Sequence, residues 1–395
     1  MPGVSYLARA FGADVPKADV FVIVVLSLFV LICYLGVFAH LHRRRLRRIP
    51  VRVHVAGSRG KSTTTRLIAA GLRAGGLTVL AKTTGSVPRL IRVDGGEEVW
   101  LRRGPPSIRE QARFIARAAA QSADAIVVES MAIRPELVWA SEHYLVQATV
   151  AVVTNTRSDH LEELGPEPRA MAEGLRWVVP RGKVLVVTED AAAALILERA
   201  HALGTTLRIV NTAGAPALAC NRLLALAVCE ELGVPAAIAA AGMDRAPDAA
   251  DAFSVSEIEI DGRRVRFANA FACNDAHSLD LLWREAYGAM PVPAVVLLNA
   301  RKDRRLRTRQ FLEFLARRDP PVTLFLGGDP GAKRLATRAG FDGREVRIVR
   351  AAPAASVLRA LAAEAEANTI IWGTGNYQGL GAEIVEAMRT GAITC

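Results

Sequence analysis

The stretch Gly57-Ser58-Arg59-Gly60-Lys61-Ser62-Thr63 decides the fold class of this chain. It lies between residues 51–56, which alternate like a short strand, and residues 64–74, which have helical spacing. A strand, a glycine turn carrying Lys-Ser and a helix, in that order, form the loop that cradles nucleotide phosphates. The glycines let backbone N–H groups point at phosphate oxygens, and the helix N-terminus adds about half a positive charge. The stretch therefore predicts an α/β domain that binds a nucleotide.

Two side chains after the glycines fit phosphate and magnesium chemistry. Lys61 can reach the terminal phosphates, and the Ser62 hydroxyl can ligate Mg²⁺. The loop is shorter than the general motif, because Val55 stands where the first glycine is expected. A glycine turn before a surface helix is the alternative interpretation. The strand before the loop and the helix after it favour nucleotide binding.

Polar side chains follow three further predicted strands at the point where each strand ends. Thr83 and Thr84 follow the first, Glu129 ends the second, and His160 follows the third with acidic residues beside it. Because ligands of open α/β sheets bind at the carboxyl ends of the strands, Glu129 is expected to hold Mg²⁺. His160 is a candidate ligand of a second ion. A capped turn at Thr83 and Thr84 and a structural role for His160 are the alternatives.

The C-terminal part of the chain predicts a second, smaller α/β domain. Residues 254–260 and 263–269 have the pattern of a hairpin around an Asp-Gly turn, and strands alternate with helices after it. A stretch rich in Pro and Asp at 242–252 is the predicted linker. This places an ATP-binding domain at 50–250 and the second domain at 251–395.

A charged loop follows the predicted strand 295–298. It carries Arg301, Asp303 and Arg304, and cations at a strand end suit an acidic substrate or a phosphate. A solvated surface loop is the alternative.

The N-terminal residues 1–49 predict a membrane anchor. Residues 20–39 carry no charge, and twenty helical residues span about 30 Å, the thickness of the hydrocarbon core of a bilayer. The arginine-rich run 43–48 follows directly, so the positive-inside rule places residues 50–395 in the cytoplasm. A cleaved signal peptide is disfavoured, since its charge would precede the apolar run. We therefore expect a single-pass protein of the cell membrane that contacts lipid.

Charge and cysteine content exclude several classes of protein. The net charge of +11 owes much to the run 43–48 rather than to a basic face, so no nucleic-acid partner is expected. Five scattered cysteines without a C-x-x-C pair exclude a disulfide framework and a zinc ribbon.

These motifs together resemble the Mur ligase superfamily, which includes peptidoglycan amino-acid ligases and folylpolyglutamate synthases. The resemblance rests on the order and spacing of Gly57–Thr63, Lys82–Gly85, Glu129-Ser130, and Asn155 with Asp159-His160-Leu161. Within the superfamily the chain is most similar to the B subunits of poly-γ-glutamate synthase (PgsB/CapB). That similarity adds Met131-Ala132 with Pro135, the stretch 269–275, and the loop Asn299–Arg304.

The resemblance implies an ATP-dependent amide ligase that forms poly-γ-glutamate through an acyl phosphate. The cofactors would be ATP and Mg²⁺, with up to two ions. The partners would be glutamate, the growing polymer and membrane subunits resembling PgsC/CapC and PgsA/CapA. The polymer would serve as a capsule or be released.

The resemblance also implies residue roles. Lys61, Glu129 and His160 would be catalytic, and Ser62, Glu129 and His160 would hold metal. ATP would contact residues 57–63 and Asn221, which would lie near the adenine. Substrate would contact the polar and charged side chains at strand ends and loops, namely Thr83, Thr84, Asn274, Arg301, Asp303 and Arg304.

The chain departs from the family pattern at two places. Gly174-Leu175-Arg176 stands where Mur ligases carry a carbamylated lysine, and Phe253 lies near the place of a nucleotide-binding arginine. Three alternatives remain open. They are a ligase of this fold with another amino acid or acceptor, a membrane-tethered P-loop ATPase with a regulatory role, and a basic protein of the membrane surface.

Overall fold

Two β-sheets organise the chain, and the first carries the phosphate loop. The computed structural model describes residues 17–85, 87–102, 104–156, 169–191, 193–246, 253–273, 275–287, 294–341, 346–349, 352–366 and 369–390. Within these ranges the first sheet has the order β4-β3-β2-β5-β1-β6-β7-β8. Its strands are β1 (Val51–Ala56), β2 (Val79–Lys82), β3 (Arg89–Ile91), β4 (Glu97–Val99), β5 (Ala125–Glu129), β6 (Val150–Val153), β7 (Val184–Thr188) and β8 (Thr206–Val210).

Six neighbouring strands pair in parallel in the order β2, β5, β1, β6, β7 and β8, so β1 lies between β5 and β6. Val53 of β1 is opposite Val127 on one side and Val150 on the other. β3 and β4 form an antiparallel ribbon at the edge. Parallel strands covered on both faces are continuously apolar, and all five residues of β5 are buried. The carboxyl ends of β1, β2, β5 and β6 therefore meet at one edge of the sheet.

Helices cover both faces of this sheet and create two apolar cores. The α-helices are α2 (Lys61–Ala74), α3 (Arg109–Ala120), α4 (Pro135–Ala140), α5 (Ala170–Leu175), α6 (Ala194–Ala202), α7 (Ala217–Glu231) and α8 (Ala236–Asp244). A π-helix (Ser141–Val146) continues α4, and short 3₁₀ turns lie at Arg176–Val178 and Glu189–Ala191.

The predicted linker 242–252 begins too early. Gly242–Asp244 belong to α8. Because Gly242 has no side chain, this helix can approach α2 closely. An added Cβ atom at Gly242 would lie 2.7 Å from the Ala70 carbonyl oxygen. The proposed domain boundary at 250 lies outside the described residues.

The second sheet has the order β13-β12-β11-β14-β10-β9 among the described residues. Its strands are β9 (Ser254–Ile260), β10 (Arg263–Asn269), β11 (Ala294–Ala300), β12 (Thr323–Gly328), β13 (Val346–Ile348) and β14 (Ile370–Gly375). The antiparallel hairpin β9–β10 has the predicted bounds, and both turn residues, Asp261 and Gly262, have positive φ. The helices are α9 (Ala276–Tyr287), α10 (Arg305–Leu315), α11 (Ala332–Ala339), α12 (Ala354–Glu364) and α13 (Leu380–Thr390). The predicted smaller α/β unit is confirmed.

The N-terminal helix α1 (Lys17–Arg47) is longer than the predicted span 20–39. It continues through the arginine-rich run, because its last turns pack against the first α/β unit. Leu46 and Ile49 are buried in the core that contains Phe114 of α3. In the described part of the chain, this helix is the one long and apolar enough to cross a membrane.

Candidate active site

The phosphate loop joins β1 to α2 in a conformation that needs its two glycines. Gly57 and Gly60 have φ values of +132° and +77°, which L side chains rarely adopt. An added Cβ atom at Gly57 would collide with Thr154, and one at Gly60 would collide with Asn221. The loop is therefore closely packed against neighbouring elements. A residue other than glycine at either position would also have a strained backbone.

Two residues that directly follow β6 form hydrogen bonds with the phosphate loop. The Thr154 hydroxyl and the Asn155 amide donate to the Arg59 carbonyl oxygen at 2.5 and 3.1 Å. The Ser58 hydroxyl donates to Asn155 Oδ1 at 2.5 Å. Sequence reasoning used Asn155 only as part of a family motif and gave Thr154 no role. Their position directly after a predicted strand was the available signal.

Lys61 and Asn221 lie on either side of the loop. The Lys61 ammonium donates to the carbonyl oxygens of Gly57 and Ser58 at 2.7 and 3.1 Å, so it lies over the loop. Asn221, on α7, accepts a hydrogen bond from the Thr64 hydroxyl at 3.3 Å. The structure thus places Asn221 beside the loop, while its predicted contact with adenine stays a prediction.

Glu129 faces the start of α2 from the end of β5. Its carboxylate accepts hydrogen bonds from the Ser62 hydroxyl at 2.8 Å and from the Thr84 N–H at 2.7 Å. Gln111 of α3 donates to the Glu129 backbone carbonyl at 3.0 Å and fixes the strand end. A hydroxyl and a carboxylate are the hard oxygen ligands that Mg²⁺ prefers, so this pair fits the expected ion.

A second metal site is not visible among the residues that the structure describes. No group of three His, Cys, Asp or Glu side chains there is placed to hold an ion. His160 lies outside the described residues, and its role stays a prediction.

A cavity of about 420 Å³ opens above the loop and is lined by both α/β units. Its described lining carries one carboxylate, that of Glu129, and several cations. The cations are Arg59, Lys61, Arg66, Arg102, Arg301, Arg304 and Arg307. This excess of positive charge fits polyanionic ligands such as nucleotide phosphates and carboxylates.

The structure brings some of the predicted substrate residues to this cavity and not others. Arg301 and Arg304 line it, and Arg301 is held by Asp303 through two hydrogen bonds of 2.9 and 2.6 Å. Asp303 itself is exposed and does not line the cavity. Asn274 lies outside the described residues.

The two predicted threonines have different surroundings. Thr84 lines the cavity. The Thr83 side chain is buried and accepts a hydrogen bond from the Arg89 N–H at 3.2 Å, so it anchors β3 instead of facing the cavity. Arg102 and Arg307 were missed, because nothing in their local sequence marks a strand end.

An ion pair joins the phosphate loop to the second unit. Arg59 donates to Asp275 through Nε at 3.1 Å and Nη2 at 2.6 Å. The N–H and the hydroxyl of Ser278 also donate to Asp275, both at 2.7 Å. Burial alone would raise the pKa of the Asp275 carboxyl, but Arg59 and Ser278 outweigh it and hold the pKa below its usual range.

A buried cluster of charges lies next to the Ser62–Glu129 pair. Lys82 at the end of β2 is fully buried, with its ammonium 3.1 Å from Glu110 Oε2 and 5.6 Å from the centre of the Trp100 ring. Arg102 donates to the other oxygen of Glu110 at 2.9 Å. Burial lowers the pKa of Lys82, and the carboxylates of Glu110 and Glu129 oppose that effect.

Two family models match the chain. The Mur ligase middle domain matches residues 55–206, and the C-terminal domain of poly-gamma-glutamate synthase CapB matches residues 255–391. The first match contains the phosphate loop and the strands β2 to β7, and the second covers the smaller sheet.

Two similar proteins come from Bacillus. The capsule biosynthesis protein CapB of Bacillus anthracis is 31% identical over 284 residues, a match that covers 68% of this chain and 61% of that protein. The PGA synthase CapB of Bacillus subtilis (strain 168) is also 31% identical over 284 residues, and there the match covers 72% of the protein. The matched stretch thus spans less than two thirds of the first of these relatives.

The fold is also similar to that of a solved folylpolyglutamate synthase. The bifunctional folylpolyglutamate synthase/dihydrofolate synthase of Yersinia pestis, complexed with AMPPNP and a Mn ion, superposes with a TM-score of 0.66 at 17% identity. The superposition covers 90% of this chain and 92% of that one. Together with the match to the Mur ligase middle domain, this superposition confirms the predicted Mur ligase-like α/β fold.

Proposed function

Because this chain belongs to the CapB family of ATP-dependent ligases, we propose that it joins glutamate units into poly-γ-glutamate. One observation carries the proposal. The Ser62–Glu129 pair under the phosphate loop faces Arg301 and Arg304 of the second unit across one cavity. This arrangement can hold the phosphates of ATP and a carboxylate substrate side by side.

The proposed reaction activates a carboxylate and then transfers it to an amine. A carboxylate oxygen of the acceptor attacks the γ-phosphorus of ATP, the bond to the β-phosphate oxygen breaks, and ADP leaves. The amine nitrogen of the next glutamate then attacks the acyl carbon of the resulting acyl phosphate. An amide bond forms, inorganic phosphate leaves, and the amine releases a proton. Positioning and charge neutralisation are the main contributions of the protein to such a reaction.

The residues of the first unit would bind and orient ATP. The backbone N–H groups of Gly57 and Gly60 would contact phosphate oxygens, because those of Ser58 and Arg59 donate to Asn155. Lys61 would turn from the loop carbonyls to the transferring phosphoryl group. Ser62 and Glu129 would hold Mg²⁺, which neutralises phosphate charge when it is bound.

The second unit would supply the site for the acidic substrate. Arg301 is pre-oriented by Asp303 and by Gln378, to which its Nη1 donates at 2.5 Å. These contacts use three of the five N–H donors of the guanidinium, so two remain for a substrate carboxylate. Arg304 and Arg307 line the same wall and extend the positive surface.

We further propose that α1 anchors the chain in a membrane as a single pass. The helix fits by length and apolar composition, and the arginine-rich run at its end supports a cytoplasmic position for both α/β units. A capsule-type polymer must leave the cell, so membrane subunits resembling PgsC/CapC and PgsA/CapA are the proposed partners.

Amino-acid-dependent phosphate release tests the proposed reaction. The full chain in membranes would receive ATP, Mg²⁺ and each amino acid in turn, and the products would be analysed by mass. We expect glutamate to stimulate phosphate release and to appear in an amide-linked product. Lys61→Ala and Glu129→Gln should each lower both signals by about 100-fold, since each removes one phosphate- or metal-binding group.

Lys333→Ala is the matched control, because this exposed lysine lies on α11 of the second unit. It should leave both signals unchanged. Stimulation by a different amino acid would redirect the proposal to another ligase of this fold. Phosphate release without any amide product would refute ligation and favour a membrane-tethered ATPase.

A further inference from the structure

The end of α1 is packed into the first α/β unit and is not a loose tether. His42, Leu46 and Ile49 are buried, and Ala39 is half-buried. The spacing of these residues places the helical ones on one face of α1. The helix is joined to β1 by three residues only, 48–50. The α/β unit therefore begins where the apolar part of the helix ends.

A hydrogen bond made by His42 determines how far the π-helix lies from the apolar part of α1. His42 Nε2 donates to the carbonyl oxygen of Leu145 in the π-helix at 2.8 Å. His42 lies three residues after Ala39, or about 4.5 Å further along the helix axis. The headgroup layer is roughly 5–8 Å thick on each side of the hydrocarbon core. If residues 20–39 fill that core, the π-helix lies at the level of the headgroups.

Aromatic side chains lie on this π-helix and on α4, the helix directly before it, and we define Leu137, Trp139, His143 and Tyr144 as the aromatic patch. The Trp139 and His143 rings stack with their centres 5.0 Å apart, and Tyr144 packs edge-on against Trp139 at 5.1 Å. Tyr144 is 56% exposed and Leu137 is 40% exposed. Large amphipathic rings on a surface at this depth are typical of the membrane interface.

The charge beside the patch matches the same partner. Arg43, Arg44 and Arg47 are exposed on the side of α1 that does not pack against the protein, and Arg48 is exposed directly after the helix. Near an anionic leaflet each such cation is attracted to the surface. The patch and the arginines together present rings and positive charge at one level.

We propose that the aromatic patch seats the catalytic unit on the lipid surface at the C-terminal end of α1. This inference rests on the membrane anchor proposed above. The packed end of α1 fixes the unit to the helix, and the patch adds a second point of contact with the lipid. The phosphate loop lies at the far end of β1, about 20 Å from the strand end nearest the membrane. Seating would therefore hold the ATP site at a fixed height above the lipid.

Quenching of tryptophan fluorescence by brominated lipid tests the seating. The full chain would be reconstituted into phosphatidylcholine–phosphatidylglycerol vesicles whose acyl chains carry bromine close to the headgroup. We expect bromine-dependent quenching in the original chain and at least a twofold loss of it in Trp139→Phe. Phenylalanine keeps an apolar ring at this half-buried position, and circular dichroism would check that the variant folds.

Trp283→Phe is the matched control, because Trp283 lies in the core of the second unit, where its ring stacks on that of Trp372 with the centres 4.5 Å apart. It should retain the quenching. Flotation with the vesicles tests the anchor separately. A chain that floats but shows equal quenching with and without Trp139 refutes the seating alone. A chain that does not float refutes the anchor and the seating together.

Discussion

At the scale of single residues, Lys82 is the most deeply buried charge in the described part of the site. Its ammonium has Glu110 as a partner, and Glu110 is itself shared with Arg102. Removing one member of a buried pair leaves an uncompensated charge in an apolar environment. Lys82 therefore stabilises the strand ends that carry Thr84 and Glu129.

Lys82→Ala is expected to lower the free energy of unfolding by about 3 kcal/mol. Denaturant unfolding followed by circular dichroism in detergent would measure the change. Arg309→Ala is the control, since the Arg309–Glu313 pair on α10 is exposed and should contribute little. Equal stability of the two variants would contradict a buried, stabilising role for Lys82.

At the scale of elements, the start of α2 depends on a glycine that no other residue replaces. Gly60 caps this helix with φ of +77°, and an added Cβ atom would displace Asn221. Gly60→Ala is expected to weaken binding of an ATP analogue by more than tenfold, because the loop must shift to relieve the collision.

Gly233→Ala separates this collision from backbone strain. Gly233 has a similar φ of +82°, but an added Cβ atom there would meet nothing within 4 Å. Both variants should lose roughly 1–2 kcal/mol of stability through left-handed strain. Calorimetry with the analogue should show weakened binding only for Gly60→Ala, and equal binding by both variants would contradict the prediction.

The sequence predicts the elements with strong local patterns. The hairpin β9–β10 follows from its alternation and its Asp-Gly turn, and the phosphate loop from its glycines and Lys-Ser. The edge ribbon of β3 and β4 was not predicted, since each strand has three residues and too little periodicity. The extension of α1 to Arg47 depends on tertiary packing of Leu46, which local patterns do not encode.

The candidate site likewise contains some residues that the sequence predicts and others that it does not. Residues at strand ends, such as Glu129, could be predicted because topology brings those ends together. The burial of Thr83 and the arrival of Arg102 and Arg307 at the cavity depend on how loops and units pack. A single sequence contains no direct measure of those contacts.

At the scale of the whole molecule, the Arg59–Asp275 pair connects the nucleotide loop of one unit to helix α9 of the other. A hydrogen bond to a charged group contributes about 1.5–3 kcal/mol. Asp275→Asn keeps the shape but removes the charge, so the two units should close less firmly over ATP. We expect kcat/KM for ATP to fall roughly tenfold in steady-state phosphate release.

Asp280→Asn provides the comparison for this prediction. Asp280 lies on α9, which begins directly after Asp275, and it pairs with Arg284 and Arg318 inside the second unit. The variant should leave kcat/KM unchanged while making the same chemical change. An equal fall in both variants would indicate general damage to α9 and contradict a closing role for Asp275.

The central position of β1 also has a consequence for biosynthesis. Val51 pairs with Ala125 of β5, and Val53 pairs with Val150 of β6. Translation reaches the first partner roughly 70 residues later, which at about 5–20 residues per second takes about 4–14 s. The apolar helix leaves the ribosome well before the strand that follows it has anything to pair with. Insertion of the helix into a membrane would therefore precede folding of the catalytic unit, which would assemble on a helix already in place.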